Sequence, residues 1–540
     1  MNKKSLTVAD FFCGAGGFSE GFAQKGFNVV FALDNWQPAV TTHRFNQPTC
    51  RAVKMDILDL NTPEKINHYV PDVDVIIGGP PCVSFSGSNK AGKADKTLGI
   101  QLIEAYLRIV LWKLKNGNLK YWVLENVPNA EKYIMNEYTW KDLDLPGTGP
   151  NLVFEEKRIL NAAEFNTPQA RKRFFGGKVP LPEPYNTNPD NFNTLQNVLD
   201  SLTNPLGKNK DLRIMDPNYE FTFESSLLTD HFYDTRVAEF EWLRAKNQKE
   251  DHGYMGKMAF PENTNQPSRT IMATRSASTR ESIILNAYND KNEHIGYRLP
   301  TIREISSIMS FPITYQFDVM GEASKYRLVG NAVCAKLSAA IAESILISEE
   351  LEIPNYIKPD LVRKTIYDLT GTRRIIKTEK NKSYNSRFAK HIPYLKIKGF
   401  RVDLTNIDSD FKNGHIKWSC ILHRGAGKDT AKCYSNECNL EGIIKEIPNF
   451  ISFKNDVLEA FKDIDISHKQ LHDSFIYVNS KLLSPDKALL IMRKIIDKHF
   501  KNDEEMINNK KQLINIDREL IPVKIVAGLY ICDYFISRLN

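Results

Sequence analysis

A chain of 540 residues with a formal net charge of +7 has room for roughly two to four domains with cores of their own. No apolar run approaches the length of a membrane span, and the start of the chain, MNKKSLTVADFFCGAGG, lacks the uninterrupted apolar region of a secretory signal. Eight irregularly spaced cysteines argue against a disulfide framework and for a reducing, cytoplasmic setting, and the modest basic excess is compatible with nucleic acid.

In chain order, LTVADFF from Leu6 to Phe12 predicts a strand and FSEGFAQKG a helix closed by Gly26. NVVFALD predicts a second strand, VDVII from Val73 to Ile77 a third, and KYWVLENV from Lys120 to Val127 a fourth. Before the fourth, LGIQLIEAYLRIVLWKLKNG carries apolar residues at helical spacing and stops at Gly117. Repeated strand–helix–strand text predicts an α/β domain on a doubly wound, mostly parallel sheet. From about Lys178 the alternation gives way to polar text punctuated by Asn and Pro, and it returns only after Gly296. So long a stretch is expected to form a domain of its own. LPTIREISSIMSFP and GNAVCAKLSAAIAESILISEE restore helical periodicity, which splits the α/β domain into residues 1–177 and 297–350 around an insert at 178–296. Residues 359–540 predict a separate C-terminal α+β domain, in which SPDKALLIMRKIIDKHF opens with a Ser cap and a first-turn Pro.

Several stretches carry chemistry. Gly14, Gly16 and Gly17 form a tight strand-to-helix turn where backbone can approach a ligand. Asp34 ends the second strand, where a carboxylate can take both hydroxyls of a ribose, and MDILDL places Asp56 beside apolar Ile57. The glycine spacing is not that of a dinucleotide site. GGPPCVSFS, Gly78 to Ser86, is a stiff loop presenting Cys82 at the end of a buried strand. Glu125 ends the fourth strand and suits a general acid beside a nucleophile. In TPQARKRFF, Arg171 and Arg173 stand two apart and share a face if the segment is extended. Taken singly, each of these is also an ordinary core thiol, strand-end charge or surface cation.

In order, DFFCGAGGFSEGF, GGPPCVSFS, ENV, PQARKRFF, RLPTIREISSIMSFP and GNAV resemble the signature blocks of the DNA cytosine-5 methyltransferases, the bacterial restriction–modification type above all. The resemblance covers roughly Leu6 to Glu350 and leaves the C-terminal part unaccounted for. It implies a Rossmann-like fold dependent on S-adenosylmethionine, with residues 178–296 as target-recognition domain. The implied reaction moves a methyl group to C5 of a flipped-out cytosine in a specific double-stranded DNA sequence. Cys82 resembles the nucleophile that adds at C6, Glu125 the group at N3 and Arg173 the holder of O2, with Arg171 stabilising the loop and its charge. Phe12, Gly14, Gly16, Gly17, Asp34, Asp56, Ile57, Asn331 and Val333 match cofactor-binding positions. Ser84, Ser86 and Thr270 match positions near the substrate DNA.

The chain departs from the family pattern at Val83, where Gln is usual, at Asp34, where Glu is common, and at Asn35, where an aromatic is expected and Trp36 stands next to it. In the insert, Arg213, Arg236, Trp242, Arg275 and Arg280 are candidate contacts to bases and phosphates. Beyond it, Cys420, His423, Cys433 and Cys438 form a candidate zinc set of non-standard spacing. The expected partners are double-stranded DNA and a separately acting restriction endonuclease, with the protein working as a monomer at the nucleoid. Two alternatives stay open, a transfer-RNA cytosine methyltransferase and a DNA reader that has lost catalysis.

Overall fold

The computed structural model describes residues 5–81, 85, 96–207, 212–250, 257–356, 364–374, 378–425, 431–478 and 480–540. The chain forms two compact units, Met1–Lys246 with Ala259–Ile376, and Asn247–Met258 with Lys377–Asn540.

The first unit is built on a seven-stranded sheet. Its elements in chain order are β1 (Thr7–Phe11), α1 (Gly17–Gln24), β2 (Asn28–Asp34), α2 (Gln37–Asn46), β3 (Arg51–Lys54), α3 (Pro63–Tyr69), β4 (Val75–Gly78), α4 (Thr97–Asn116), β5 (Tyr121–Asn126), β6 (Glu156–Asn161) and β7 (Lys172–Lys178). The spatial order is β3-β2-β1-β4-β5-β7-β6. β1 to β5 are mutually parallel, whereas β7 runs antiparallel to both neighbours. The strand order therefore reverses between β1 and β4, the place where open α/β sheets hold their ligands beyond the strands' carboxyl ends. The sheet is buried on both faces, one side packing β-strand residues such as Val8, Val29 and Val75 and the other Ala9, Phe31 and Ile76.

Two late helices, α5 (Glu322–Asn331) and α6 (Ala335–Ser348), complete this unit. Their return to the start of the chain depends on glycines in α1. A Cβ at Gly17 would collide with the Val333 carbonyl, and one at Gly21 with backbone at Ala335 and Ala339. That close approach is locked by Ser338 Oγ, which donates to the Phe18 carbonyl at 2.6 Å. By length and composition alone the stretch Glu322–Ser348 could cross a membrane, but 72% of its apolar window is buried inside the fold.

The insert does not stand apart as expected. Leu195, Val198, Ile214, Phe223, Phe232 and Leu285 belong to the same hydrophobic cluster as α1 and α6. A smaller cluster of its own gathers Val237, Ala245, Ala277, Ile284 and Leu299, with Trp242, Phe260 and Tyr297 packed on it. The expected boundary at 350–359 also moves, because residues 364–374 are strapped to the first unit. Thr365 Oγ1 donates to Asp318 (2.7 Å), Leu369 N to Asp230 (3.0 Å), and Gly371 N to the Phe232 carbonyl (2.7 Å). Arg374 then grips Glu241 through two bonds of 2.7 Å. Asp230 is itself fully buried against Lys325 at 2.7 Å, and burial of an ion pair is costly unless its remaining groups are satisfied. A chain ended after residue 350 is therefore expected to be about 3 kcal/mol less stable in urea unfolding than one ended after residue 376. Equal stability would show that the strap contributes nothing.

The second unit carries a four-stranded antiparallel sheet, β8 (Ala389–Ile397), β9 (Phe400–Thr405), β10 (Ser419–Arg424) and β11 (Ala431–Tyr434), with helices packed on it. Strand alternation sets the candidate zinc residues apart. In the β10–β11 ladder Leu422 faces Cys433 and His423 faces Lys432, so His423 points to the side opposite Cys420 and Cys433. Cys420 Sγ lies against the Leu529 carbonyl in the core, and His423 Nε2 meets Asp403 Oδ2 at 3.1 Å. Cys433 and Cys438 do meet, Sγ to Sγ at 2.9 Å. Among the described residues, no three metal-ligating side chains converge.

Candidate active site

Phe12, Asp34 and Glu125 stand at the carboxyl ends of β1, β2 and β5, and the glycine turn follows β1 directly. β1 ends in the glycine turn, where Phe12 (φ 58°), Gly14 (φ 52°) and Gly16 (φ 92°) all take left-handed backbone. Such a conformation is cheap for glycine and strained for Phe12, which is typical of a turn shaped for a ligand. At Gly16 a Cβ would press to 2.7 Å from the Tyr315 hydroxyl and 3.1 Å from His43.

Asp34, at the end of β2, is held from two sides. Gly14 N donates to Oδ2 (2.9 Å) and Trp36 N to Oδ1 (2.8 Å). Burial pushes its pKa above the usual carboxylate range, and these backbone donors with the Arg327 charge pull it partly back. Asp56, after β3, accepts from Leu58 N at 3.0 Å and caps the short turn that starts at buried Ile57. Beneath the turn, Asp10 accepts from Ser19 Oγ at 2.6 Å, and His43 Nε2 lies 3.0 Å from the same hydroxyl. Burial raises Asp10 to about 7 and lowers His43 to about 4, so between those values both groups under the turn are uncharged.

β4 ends beside β1, with Gly79 N donating to the Phe11 carbonyl at 3.3 Å. Gly78 is needed because a Cβ there would meet the Tyr106 ring at 2.5 Å. A Cβ on Gly79 would stand 3.0 Å from Glu125 Oε2, so the loop's first residues pass directly over that carboxylate. Asn126 Nδ2 donates to the Pro80 carbonyl at 3.1 Å and pins the loop to the end of β5. That role was missed from sequence, although an amide next to the candidate acid was visible in ENV. Cys82, Val83, Ser84 and Ser86 lie outside the described residues.

The antiparallel run of β7 brings its first residues to the same edge. Phe175 faces Glu125 in the ladder, so Arg173, two residues earlier, sits diagonally across from Glu125 on one face. Arg173 Nε lies 3.1 Å from Glu125 Oε1, both side chains being about nine-tenths buried. Burial raises the Glu125 pKa, and the charges of Arg173 and Arg171 draw it back.

Arg171 stands between Gln169–Ala170 and β7 and has different partners. Its guanidinium turns inward to the carbonyls of Ile271 (3.2 Å), Gly330 (3.0 Å) and Ala332 (3.1 Å). It ties the β7 entrance to the GNAV segment, where Val333 closes over Gly17 and Asn331 ends α5 exposed. Thr270 adjoins this knot, its hydroxyl donating to the Ala170 carbonyl at 3.2 Å.

The insert candidates separate in the same way. Arg213 is exposed, whereas Arg236 is clamped on Asp234 (2.7 Å). Arg275 is buried in an ion pair with Glu322, Arg280 lies near Glu281 at 4.0 Å, and Trp242 packs on the small core. Arg213 and Arg236 are both exposed, and Arg213 Nε donates to Thr222 Oγ1 at 2.8 Å rather than to a carboxylate.

A carboxylate–arginine pair beneath a Gly-Gly-Pro-Pro loop, one strand from a glycine turn and an acidic β2 terminus, is the arrangement that the resemblance implies. A family model for the C-5 cytosine-specific DNA methylases matches residues 6–347. The chain belongs to that family. It transfers a methyl group to C5 of cytosine in DNA. Among curated proteins it is similar to the Type II methyltransferase M1.HphI of Haemophilus parahaemolyticus, 29% identical over 360 residues that span 63% of this chain and 87% of that one. The Type II methyltransferase M.MthTI of Methanothermobacter thermautotrophicus is likewise 29% identical over 360 residues, spanning 63% of this chain and 97% of its own. Among solved structures, the Entamoeba histolytica methyltransferase EhMeth aligns over 64% of this chain and 99% of its own, at 15% identity and a TM-score of 0.41. The family match ends at residue 347, ahead of the stretch Lys377–Asn540 that makes up most of the second unit of this methylase.

Proposed function

We propose that this methylase modifies one cytosine within a specific double-stranded DNA sequence, with S-adenosylmethionine as methyl donor and Cys82 as nucleophile, as the modification arm of a restriction–modification system. The observation that carries the reading is the Glu125–Arg173 pair at 3.1 Å, directly under the loop that leads to Cys82.

The residues present fit the donor. Asp34, held by two backbone donors, offers a fixed carboxylate for a ribose, the left-handed glycine turn admits close backbone approach, and Asp56 with Ile57 offers a polar edge beside an apolar face. When bound, S-adenosylmethionine supplies an electrophilic methyl group. The chain's own residues make the cytosine ring able to take it. C5 is a poor nucleophile until the Cys82 thiolate forms a bond to C6, which leaves C5 enamine-like. Glu125 delivers a proton or hydrogen bond to N3 as charge builds on the ring, and Arg173 holds O2. After methylation the C5 proton leaves to solvent or a base, the C6–S bond breaks, and Cys82 departs as thiolate. None of this reaches a stacked base, so the cytosine must leave the duplex.

Glu125 acts in its protonated form, which is present below its pKa and lost as pH rises through it. Its raised pKa carries that form to higher pH than an ordinary glutamate allows. Glu125→Gln is expected to cost about 10²-fold or more in turnover and to remove the alkaline fall in the kcat–pH profile. A variant with wild-type turnover and the same profile would show that Glu125 is only structural.

Expression in a host without cytosine methylation, followed by bisulfite sequencing of its genome, tests the function as a whole. Protected cytosines confined to one short recurring motif are expected. Soluble protein that binds S-adenosylmethionine yet protects no DNA would overturn the sequence-specific reading. Methylation scattered without a motif would overturn the restriction–modification role alone.

A further inference from the structure

Arg327, one turn before the GNAV segment on α5, played no part in the site as read from sequence. Its guanidinium carbon lies 4.5 Å from the centre of the Trp36 ring. Trp36 is also the residue whose N–H donates to Asp34 Oδ1 at 2.8 Å, so one residue links Arg327 to the carboxylate at the end of β2. Arg327 is exposed and Trp36 half-buried, which shows that this stacking is not forced by core packing. The helix carrying Arg327 is held firmly from behind, through Lys325 on Asp230 and the Gly330 carbonyl on Arg171.

We propose that Arg327 is a positioning residue for the adenosine half of the methyl donor. Stacked on Trp36, it holds that residue and the Asp34 carboxylate ready to accept ribose hydroxyls, an inference that rests on the S-adenosylmethionine reading above. The chain lacks an aromatic directly after Asp34, where Asn35 stands. Trp36, displaced by one position, is secured instead by a cation from the far end of the domain. A cation over a Trp face at an exposed site corresponds to about a five-fold change in affinity.

The charge has a second effect. The groups that face Asp34 are Asp10 on β1, Cys13 in the glycine turn, Lys54 opposite it on β3, Arg327, and the backbone N–H groups of Gly14, Asn35 and Trp36. Burial raises the Asp34 pKa and Arg327 opposes that rise. A protonated Asp34 accepts ribose hydroxyls poorly, so donor affinity falls as pH drops through its pKa. Removing Arg327 moves that fall to higher pH.

Calorimetric titration of the full-length protein with S-adenosylmethionine and with S-adenosylhomocysteine, over a pH series that covers the acid limb, tests this. Arg327→Met keeps the side chain's length and removes its charge. It is expected to weaken both ligands about five-fold and to shift the acid limb upward, with the loss falling on cofactor affinity more than on turnover at saturating cofactor. Arg327→Lys is expected to restore the position of the acid limb and part of the affinity. Wild-type protein that binds, with Arg327→Met binding equally tightly and with the same acid limb, would overturn the role of Arg327 alone. Wild-type protein that binds neither ligand would overturn the donor reading and this inference with it.

Discussion

Cys82→Ala is expected to abolish methyl transfer, by ~10⁴-fold or more, while leaving binding of S-adenosylmethionine and of cognate duplex DNA in place. The expected size follows from the chemistry, since without a sulfur–C6 bond the ring offers no enamine at C5 and Glu125 and Arg173 have no developing charge to stabilise. Neighbouring groups set how readily that thiol ionises, because a thiolate near neutral pH needs positive charge close by. A duplex carrying 5-fluorocytosine at the target gives a second readout. With fluorine at C5 there is no proton to lose after methylation, so the C6–S bond persists and wild-type protein is expected to stay attached through denaturing electrophoresis. Cys82→Ala should leave no such complex. Residual turnover of the alanine variant near the wild-type rate would sink covalent catalysis by Cys82.

Arg171→Met is expected to be the most damaging single substitution for stability, at about 3–5 kcal/mol in urea unfolding. The guanidinium is 4% exposed and donates to three main-chain carbonyls from segments far apart in sequence, at Ile271, Gly330 and Ala332. Methionine fills the space but leaves those acceptors buried and unsatisfied, and each such group costs about 1–3 kcal/mol. Arg173→Met breaks a pair that is about nine-tenths buried, so it also costs stability, by about 3 kcal/mol unless Glu125 takes up a proton, and it is expected to lower the turnover of the folded protein. Turnover of the folded protein, not unfolding, is therefore the assay that separates the two arginines. An Arg171→Met protein as stable as wild type would show that the carbonyls find water or other donors.

The two residues also show how far sequence carries. Both stand in PQARKRFF and were expected on one face, on the assumption of an unbroken extended segment. The structure gives them different partners, Glu125 for Arg173 and the carbonyls of Ile271 and Gly330 for Arg171, and no local pattern announces partners that arrive from elsewhere in the chain. The candidate zinc residues are kept from converging by strand geometry. Cys420 and His423 are three apart, and on a strand an odd spacing puts side chains on opposite faces. The insert was legible as an interruption but not as a partner in the main core, since its apolar residues have no periodicity that names what they pack on.

By itself the sequence determined the alternation of strands and helices over β1 to β5, the glycine turn, the acidic ends of β2 and β3, the Gly-Gly-Pro-Pro loop and the family. These are local features, carried by burial period, backbone permissiveness and short-range spacing. Only the tertiary structure decided that β7 runs antiparallel and delivers Arg173 to Glu125, that Arg171 is a strut, that residues 364–374 bind back onto the first unit, and that Arg327 reaches Trp36. Each of these joins residues tens to hundreds of positions apart. Such contacts depend on strand direction, register and helix approach, which no stretch of sequence contains on its own.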